Sequence, residues 1–253
     1  MYNEELDLAI RAAKAAGRIL NADGAVTVDS AEGKDIKLSS DKESERTIIS
    51  ILRSESQYAI LSEECGEIAG TDHSGLRWII DPLDGTANYF KGLKELTCVS
   101  IALWKNDNPI LGVVYRYALD ELYYGVVGSG AYCSGTPIAP SGVDCVPKAV
   151  IATGFPVHRD YSTESLMSFV QTVQRFKKVR MLGAAAIMGT LVAAGKVDVY
   201  YEDHIMLWDV AAAAAITAAA GGEVQIRHLE DHMCVCKLFA NHALMEDFYA
   251  ESL

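Results

Sequence analysis

The sequence predicts an α/β fold built in layers, on three observations. Apolar residues at the N-terminus keep a helical period, the middle of the chain is a series of short strand-like runs divided by Asn/Asp/Gly turns, and the second half alternates helical and strand patterns. No internal repeat or low-complexity linker separates the halves, so the 253 residues read as one domain with approximate lobes at 1–140 and 141–253.

Leu6, Ala9, Ile10, Ala13, Ala16, Gly17 and Leu20 follow the i, i+3, i+4, i+7 rule and predict an amphipathic helix over 3–21. Residues 21–40 are polar, hold Gly24 and Gly33 and lack that period, which predicts a mobile loop or an irregular hairpin. Ser40-Asp41-Lys42-Glu43 reads as a capping box that opens a second helix, with Ile48, Ile51 and Leu52 on its inner face. Residues 58–61 form a short strand. Trp78-Ile79-Ile80 form a buried strand that stops at Asp81-Pro82, because proline has no N–H for a ladder.

Residues 98–104, 109–117 and 122–127 predict an antiparallel meander, continued by 128–133, with a further strand at 150–153. Helices are then expected at 164–176, 184–194, 208–220 and 242–251, and strands at 179–182, 197–201, 223–226 and 235–239. Gly221-Gly222 closes the third of these helices.

Half of the residues are hydrophobic, as a globular core requires, and the formal net charge is −12, with a pI near 4.9. That balance argues against nucleic-acid and anionic-membrane partners, which need a basic face. The apolar run 210–222 is too short to span a bilayer. The N-terminus opens with Glu4, Glu5 and Asp7 and has no signal-peptide pattern, so a cytoplasmic location is expected. Cys65, Cys98, Cys133, Cys145, Cys234 and Cys236 are scattered, mostly in apolar runs, and read as reduced thiols. Cys234 and Cys236 with His228 and His232 match no standard zinc spacing. Gly189 and Gly195 enclose five residues, one too many for a phosphate loop, and Gly125, Gly128 and Gly130 miss the dinucleotide fingerprint.

The stretch that carries chemistry is Asp81-Pro82-Leu83-Asp84-Gly85-Thr86. Asp-Pro closes many strands and Asp-Gly makes many turns, so either pair alone is structural. Together they set two carboxylates at a strand end and its turn, where they converge and require a cation or a proton between them. Hard oxygen donors on a stiff turn suit Mg²⁺. Thr86 opens a helical turn, a place that favours anions.

The whole string resembles the Asp-Pro-(Ile/Leu)-Asp-Gly-Thr motif of the inositol monophosphatase family of Mg²⁺-dependent, lithium-sensitive phosphatases. Three further stretches resemble that family. Ser62-Glu63-Glu64 matches its Gly-Glu-Glu element, Trp208-Asp209-Val210-Ala211 with Gly221-Gly222 its Trp-Asp-x-Ala…Gly-Gly signature, and the stretch from Asp35 to Asp41 its Asp-x-x-Thr-x-x-Asp element. Outside that setting Glu63 would be a solvated loop acid, and Asp41 and Asp209 ordinary first-turn residues of helices.

The resemblance implies a five-layer αβαβα sandwich of the inositol monophosphatase/fructose-1,6-bisphosphatase type, which pattern alone does not give. It places Glu63, Asp81 and the Leu83 carbonyl around one Mg²⁺, and Asp81, Asp84 and Asp209 around a second, with Mn²⁺ as a substitute. A third ion held through Glu63 and water is compatible. It implies that Thr86, hydrogen-bonded to Asp41, orients the attacking water, and that Gly85 and Thr86 bind phosphate through their N–H groups. Gly183, Ala184 and Glu202 match positions that line the alcohol half of the substrate, with alanine at 184 where a hydroxyl is common. Lys34 and Lys37 fall in the loop expected over the site.

The function so implied is a phosphomonoesterase on a small polyol or sugar phosphate, inositol monophosphate by default, working as a homodimer. Histidinol phosphate, fructose 1,6-bisphosphate and 3′-phosphoadenosine nucleotides are alternatives on the same scaffold. Ala-Asn-Tyr after Thr86 is nearer the Thr-Asn-Phe of inositol phosphatases than the Lys-Glu-Phe of nucleotide bisphosphatases. A non-catalytic regulatory binding protein would be signalled by a lost metal ligand, and Asp41, Glu63, Asp81, Asp84 and Asp209 are all present.

Overall fold

The computed structural model describes residues 2–22, 28–32 and 35–250, with 28–32 and 35–37 described through their backbone. The chain enters through α1 (Asn3–Asn21), followed by the hairpin β1 (Val28–Glu32) and β2 (Asp35–Leu38), then α2 (Ser39–Glu55). β3 (Ala59–Ser62), β4 (Gly66–Ile68), β5 (Leu76–Asp84) and the short α3 (Thr86–Phe90) lead into a meander of β6 (Cys98–Lys105), β7 (Asn108–Arg116), β8 (Glu121–Val126), β9 (Gly130–Cys133) and β10 (Thr136–Ile138). The second half runs β11 (Val150–Ala152), α4 (Thr163–Val173), β12 (Lys178–Arg180), α5 (Ala185–Ala193), β13 (Val199–Met206), α6 (Leu207–Ala220), β14 (Glu223–His228), β15 (Met233–Phe239) and α7 (His242–Ala250).

Two large sheets result. The first has eight strands in the order β10-β9-β8-β7-β6-β5-β3-β4, with β3 and β5 its parallel pair. The second has five in the order β12-β11-β13-β15-β14, with β11 parallel to β12 and β13.

Side-chain alternation along the strands decides the layering. Trp78, Ile80, Ile101, Leu103 and Val113 face one way, onto Leu8, Ala12 and Leu20 of α1 and Ile48 and Leu52 of α2. Ile79, Ala102, Trp104 and Val114 face the other way, into a core shared with α5, α6 and the Tyr200, Cys234, Cys236 and Leu238 face of the second sheet. The outer face of that sheet, with Ile151, Val199 and Phe239, packs on Phe176, Leu244 and Phe248. The order is therefore helices, sheet, helices, sheet, helices, an αβαβα sandwich. The central layer is thin because α6 is nearly all alanine where it crosses β7. A Cβ on Gly112 would lie 2.2 Å from the Ala212 carbonyl oxygen, so the strand needs glycine there.

The structure departs from the sequence expectations at defined places. The 21–40 stretch contains an antiparallel hairpin with a register shift between Val28 and Ser30, which is the irregular-hairpin alternative; Lys34 and the Lys37 side chain lie outside the described residues. Helix α2 starts at Ser39, and the Leu38 N–H donates to Asp41 Oδ2 at 3.0 Å. With the N-cap two residues earlier, at Leu38, Asp41 rather than Glu43 is the acid that reaches back to the N-cap N–H. β5 does not stop at Asp81-Pro82 but continues to Asp84 across a bulge. β4 and β10, each of three residues, were too short to show a period, and β13 runs on to Met206 through a second bulge. Among the described residues all six cysteines are free thiols, and no helix is long and apolar enough to cross a membrane.

Candidate active site

The bulge in β5 builds the site. Asp81 pairs with Ser100 and Asp84 with Cys98, so three steps along β5 oppose two along β6. In a regular strand, residues three apart point to opposite faces. The extra residue cancels that reversal: Leu83 joins the core beneath α1 and α2, while Asp81 and Asp84 both face the cavity between the sheets. Pro82 is tolerated because a bulge lacks a regular ladder position. The Leu83 N–H donates to Asp81 Oδ1 at 2.9 Å and fixes that carboxylate.

Asp84 reaches across the chain. Its Oδ1 accepts from the Ala185 N–H at 3.2 Å and its Oδ2 from the Ala186 N–H at 2.8 Å, so it caps α5. The Cys98 thiol donates to Oδ2 at 3.5 Å. Burial lifts the Asp84 carboxyl to about 6, against the opposing pull of these bonds. Gly85 follows with φ +88°, and an added Cβ would stand 2.8 Å from the Leu96 carbonyl oxygen, so the turn requires glycine on both counts. Asn88 Nδ2 then donates to the carbonyls of Leu96 at 3.0 Å and Leu182 at 2.8 Å, and joins the turn to the segment before α5.

The remaining acids come from other elements. Glu63 follows β3, its N–H donating to the Ile80 carbonyl at 3.3 Å. Asp209 sits in the first turn of α6 and takes a hydrogen bond from the Met206 backbone. Glu202, on β13, is buried. Burial first, then the charges of Glu63, Asp84 and Asp209, hold the Asp81 carboxyl well above the usual carboxylate range. Burial, then Glu63, Asp84 and Glu202, do the same to Asp209. Burial and the Asp84 charge lift Glu202 to about 8.

These groups line one cavity of about 560 Å³. Glu63, Asp81, Leu83, Asp84, Gly85, Thr86, Gly183, Ala184, Glu202 and Asp209 are all on its wall; among the described residues expected at the site, Asp41 is not. Asp41 instead holds the start of α2 through Leu38, and the Thr86 hydroxyl donates to the Leu83 carbonyl at 3.1 Å. The expected Thr86-to-Asp41 hydrogen bond is thus replaced by two local ones, each closing a turn over three residues. Sequence reasoning missed an apolar wall formed by Phe155, Val157, Met206 and Trp208, with His158 and His204 beside it. Residues 155–158 lie outside any helix or strand and carry no period to find.

The donor set tests what the cavity can hold. Carboxylates crowd one another, and among the described residues no lysine or arginine lines the cavity to answer them. All are hard oxygen donors, which fits a divalent cation of the Mg²⁺ kind. Among the described residues no three acidic, histidine or cysteine side chains already stand at metal-ligand spacing; the site offers facing donors rather than a closed cage.

Comparison with known proteins identifies the family. The profile of the inositol monophosphatase family matches residues 1–247. The Nus factor SuhB of Pasteurella multocida is 35% identical over 230 residues, covering 88% of this chain and 85% of the relative. Inositol monophosphatase 3 of Solanum lycopersicum is 34% identical over 263 residues, covering 98% of this chain and 96% of the relative. A solved inositol monophosphatase from Anabaena (Nostoc) superposes with a TM-score of 0.84 at 32% identity, covering 98% of this chain and 94% of that one. The chain belongs to the inositol monophosphatase family.

Proposed function

We propose that this phosphoric monoester hydrolase removes phosphate from a small polyol or sugar phosphate, inositol monophosphate first, with Mg²⁺ or substituting Mn²⁺ held among the cavity carboxylates. One observation carries the reading: Glu63, Asp81, Asp84 and Asp209, from three separate stretches of chain, share the wall of one cavity that no lysine or arginine among the described residues lines. Glu63, Asp81 and the Leu83 carbonyl would hold one ion, and Asp81, Asp84 and Asp209 a second. Bound there, the ions would lower the pKa of a coordinated water and neutralise the leaving alkoxide.

The chain's own groups supply orientation. Thr86 Oγ1 has its proton on the Leu83 carbonyl, so its lone pairs are left to accept from a water and aim it. The first N–H groups of a helix have no partner within it, and those of Gly85 and Thr86 would take phosphate oxygens. Glu202, its carboxyl raised to about 8 by burial and the Asp84 charge, would donate to a substrate hydroxyl, with Gly183 and Ala184 bordering the alcohol half. A homodimer is part of the same proposal, and sedimentation tests it.

A second reading is a phosphomonoester whose alcohol part carries a flat ring, such as histidinol phosphate or a 3′-phosphoadenosine nucleotide. Phe155, Val157 and Trp208 along one wall favour it. The test is phosphate release from a panel of phosphomonoesters with and without Mg²⁺. Mg²⁺-dependent release from inositol monophosphate supports the first reading, and preference for a ring-bearing ester supports the second. Release that ignores divalent cations, or none from any member of the panel, overturns both.

A further inference from the structure

Helix α2 buries Asp41, Ser44 and Glu45 on the stripe that continues with Ile48 and Leu52. Buried polar groups on an apolar stripe are costly unless each serves a partner. Asp41 serves the start of its own helix. Ser44 and Glu45 serve the site. The Ser44 hydroxyl donates to the Pro82 carbonyl at 2.8 Å, inside the bulge that turns Asp81 and Asp84 to the same side. Glu45, only 6% exposed, accepts through one oxygen, Oε1, from both the Ser62 hydroxyl and the Cys65 N–H, the latter at 3.0 Å.

Ser62 and Cys65 bracket Glu63 and Glu64. A single carboxyl oxygen therefore fastens both ends of the 62–65 turn. The next residue, Gly66, has φ +71° and reverses the chain into β4, so a Glu63 side chain held at both flanks has little freedom to swing away from Asp81.

We propose that Glu45 is a positioning residue for the cation site: it ties the 62–65 turn to α2 and so presents Glu63 toward Asp81, while Ser44 steadies the bulge opposite. Neither residue lines the cavity. The inference rests on the reading of Glu63 as a cation ligand. One helix thus sets the spacing of the two halves of the ligand set, and the cation meets donors already held apart at a fixed distance.

The test measures amide hydrogen exchange across 62–66 in the cation-free protein, and Mn²⁺ binding by calorimetry. The proteins are wild type, Glu45→Ala, Glu45→Gln, Glu63→Gln and the double variant Glu45→Ala/Glu63→Gln. Expected results are faster exchange of the Cys65 amide in Glu45→Ala and Mn²⁺ binding weaker by roughly 10- to 100-fold, the range for outer partners of metal ligands. Glu45→Gln, whose amide oxygen can still accept both donors, should recover most of the loss. The double variant should bind no more weakly than Glu63→Gln alone, since Glu45 acts through Glu63.

Unchanged Cys65 exchange, or additive losses in the double variant, would overturn the proposal. Glu63→Gln weakening Mn²⁺ while Glu45→Ala does not sinks this inference alone. Wild-type Mn²⁺ affinity in Glu63→Gln sinks the ligand assignment and the inference with it. Should Glu45→Ala fail to fold, Ser62→Ala removes one of the two donors and asks the same question. It should weaken Mn²⁺ by a smaller factor, and no change overturns the proposal.

Discussion

Glu202→Gln separates burial from chemistry at the substrate cavity. Glu202 is 4% exposed, and burial with the Asp84 charge moves its carboxyl from an ordinary 4.5 to about 8. A carboxyl raised on folding contributes stability below its unfolded pKa and loses it as pH climbs through the folded one. At 1.36 kcal/mol for each pKa step, the cation-free folded state carries a penalty of about 1 kcal/mol at pH 5, growing to about 5 kcal/mol at pH 9. Glutamine fills nearly the same volume without a charge and escapes that penalty. In chelator, Glu202→Gln should therefore melt near wild type at pH 5 and roughly 10–20 °C above it at pH 9, using 2–4 °C per kcal/mol for a chain of this size. Thermal melts from pH 5 to 9 with excess EDTA read the difference. Parallel curves for the two proteins would show that Glu202 is not held protonated, and the role given it toward a substrate hydroxyl would go with it.

Asp84→Asn keeps the side-chain size but removes a ligand charge and leaves one acceptor oxygen for the Ala185 and Ala186 N–H groups. Phosphate release should fall by roughly 100-fold or more, the top of the range for partners of a metal site; full activity would refute the ligand assignment. Its melting temperature should move little, because the weakened cap, about 1 kcal/mol, is offset by relief of a carboxyl held at about 6. Gly154→Ala would place a Cβ 2.7 Å from Glu202 Oε1. Displacing that carboxyl should raise KM for a hydroxyl-rich substrate several-fold and cost about 1–3 kcal/mol in denaturant unfolding, and an unchanged KM would detach Glu202 from the substrate. Li⁺ should inhibit phosphate release by the wild type, and insensitivity would move the chain away from the lithium-sensitive members its motifs resemble.

Local pattern carried the elements whose burial is one-sided. α1 shows its stripe because the face of Leu8, Ala12 and Leu20 meets a core and the opposite face meets solvent. The meander was readable because its strands are separated by sharp turns. The five layers were not readable from pattern, because β5 and β6 are buried on both faces and α6 is uniformly apolar, so no period says what lies on each side. The candidate site was legible as a motif but not as a mechanism. That Asp84 caps α5, about a hundred residues further on, depends on a contact with no local trace. Glu45 could have been noticed as an acid on the stripe of Ile48 and Leu52, but its partners Ser62 and Cys65 belong to another turn. Thr86 and Asp41 were expected to meet, and nearer partners won: each lies within three residues of a backbone group it can satisfy.

The surplus residue between Asp81 and Asp84 makes the chemistry a question of parity. Flattening the bulge while keeping three steps between the two acids would leave them on opposite sides of the sheet, one of them thrust among the side chains beneath α1 and α2. Taking one residue out gives a regular spacing of two steps with both acids still on the cavity side, whereas adding one with the bulge kept parts them. The facing of Asp81 and Asp84 should accordingly survive the loss of one residue between them better than the gain of one.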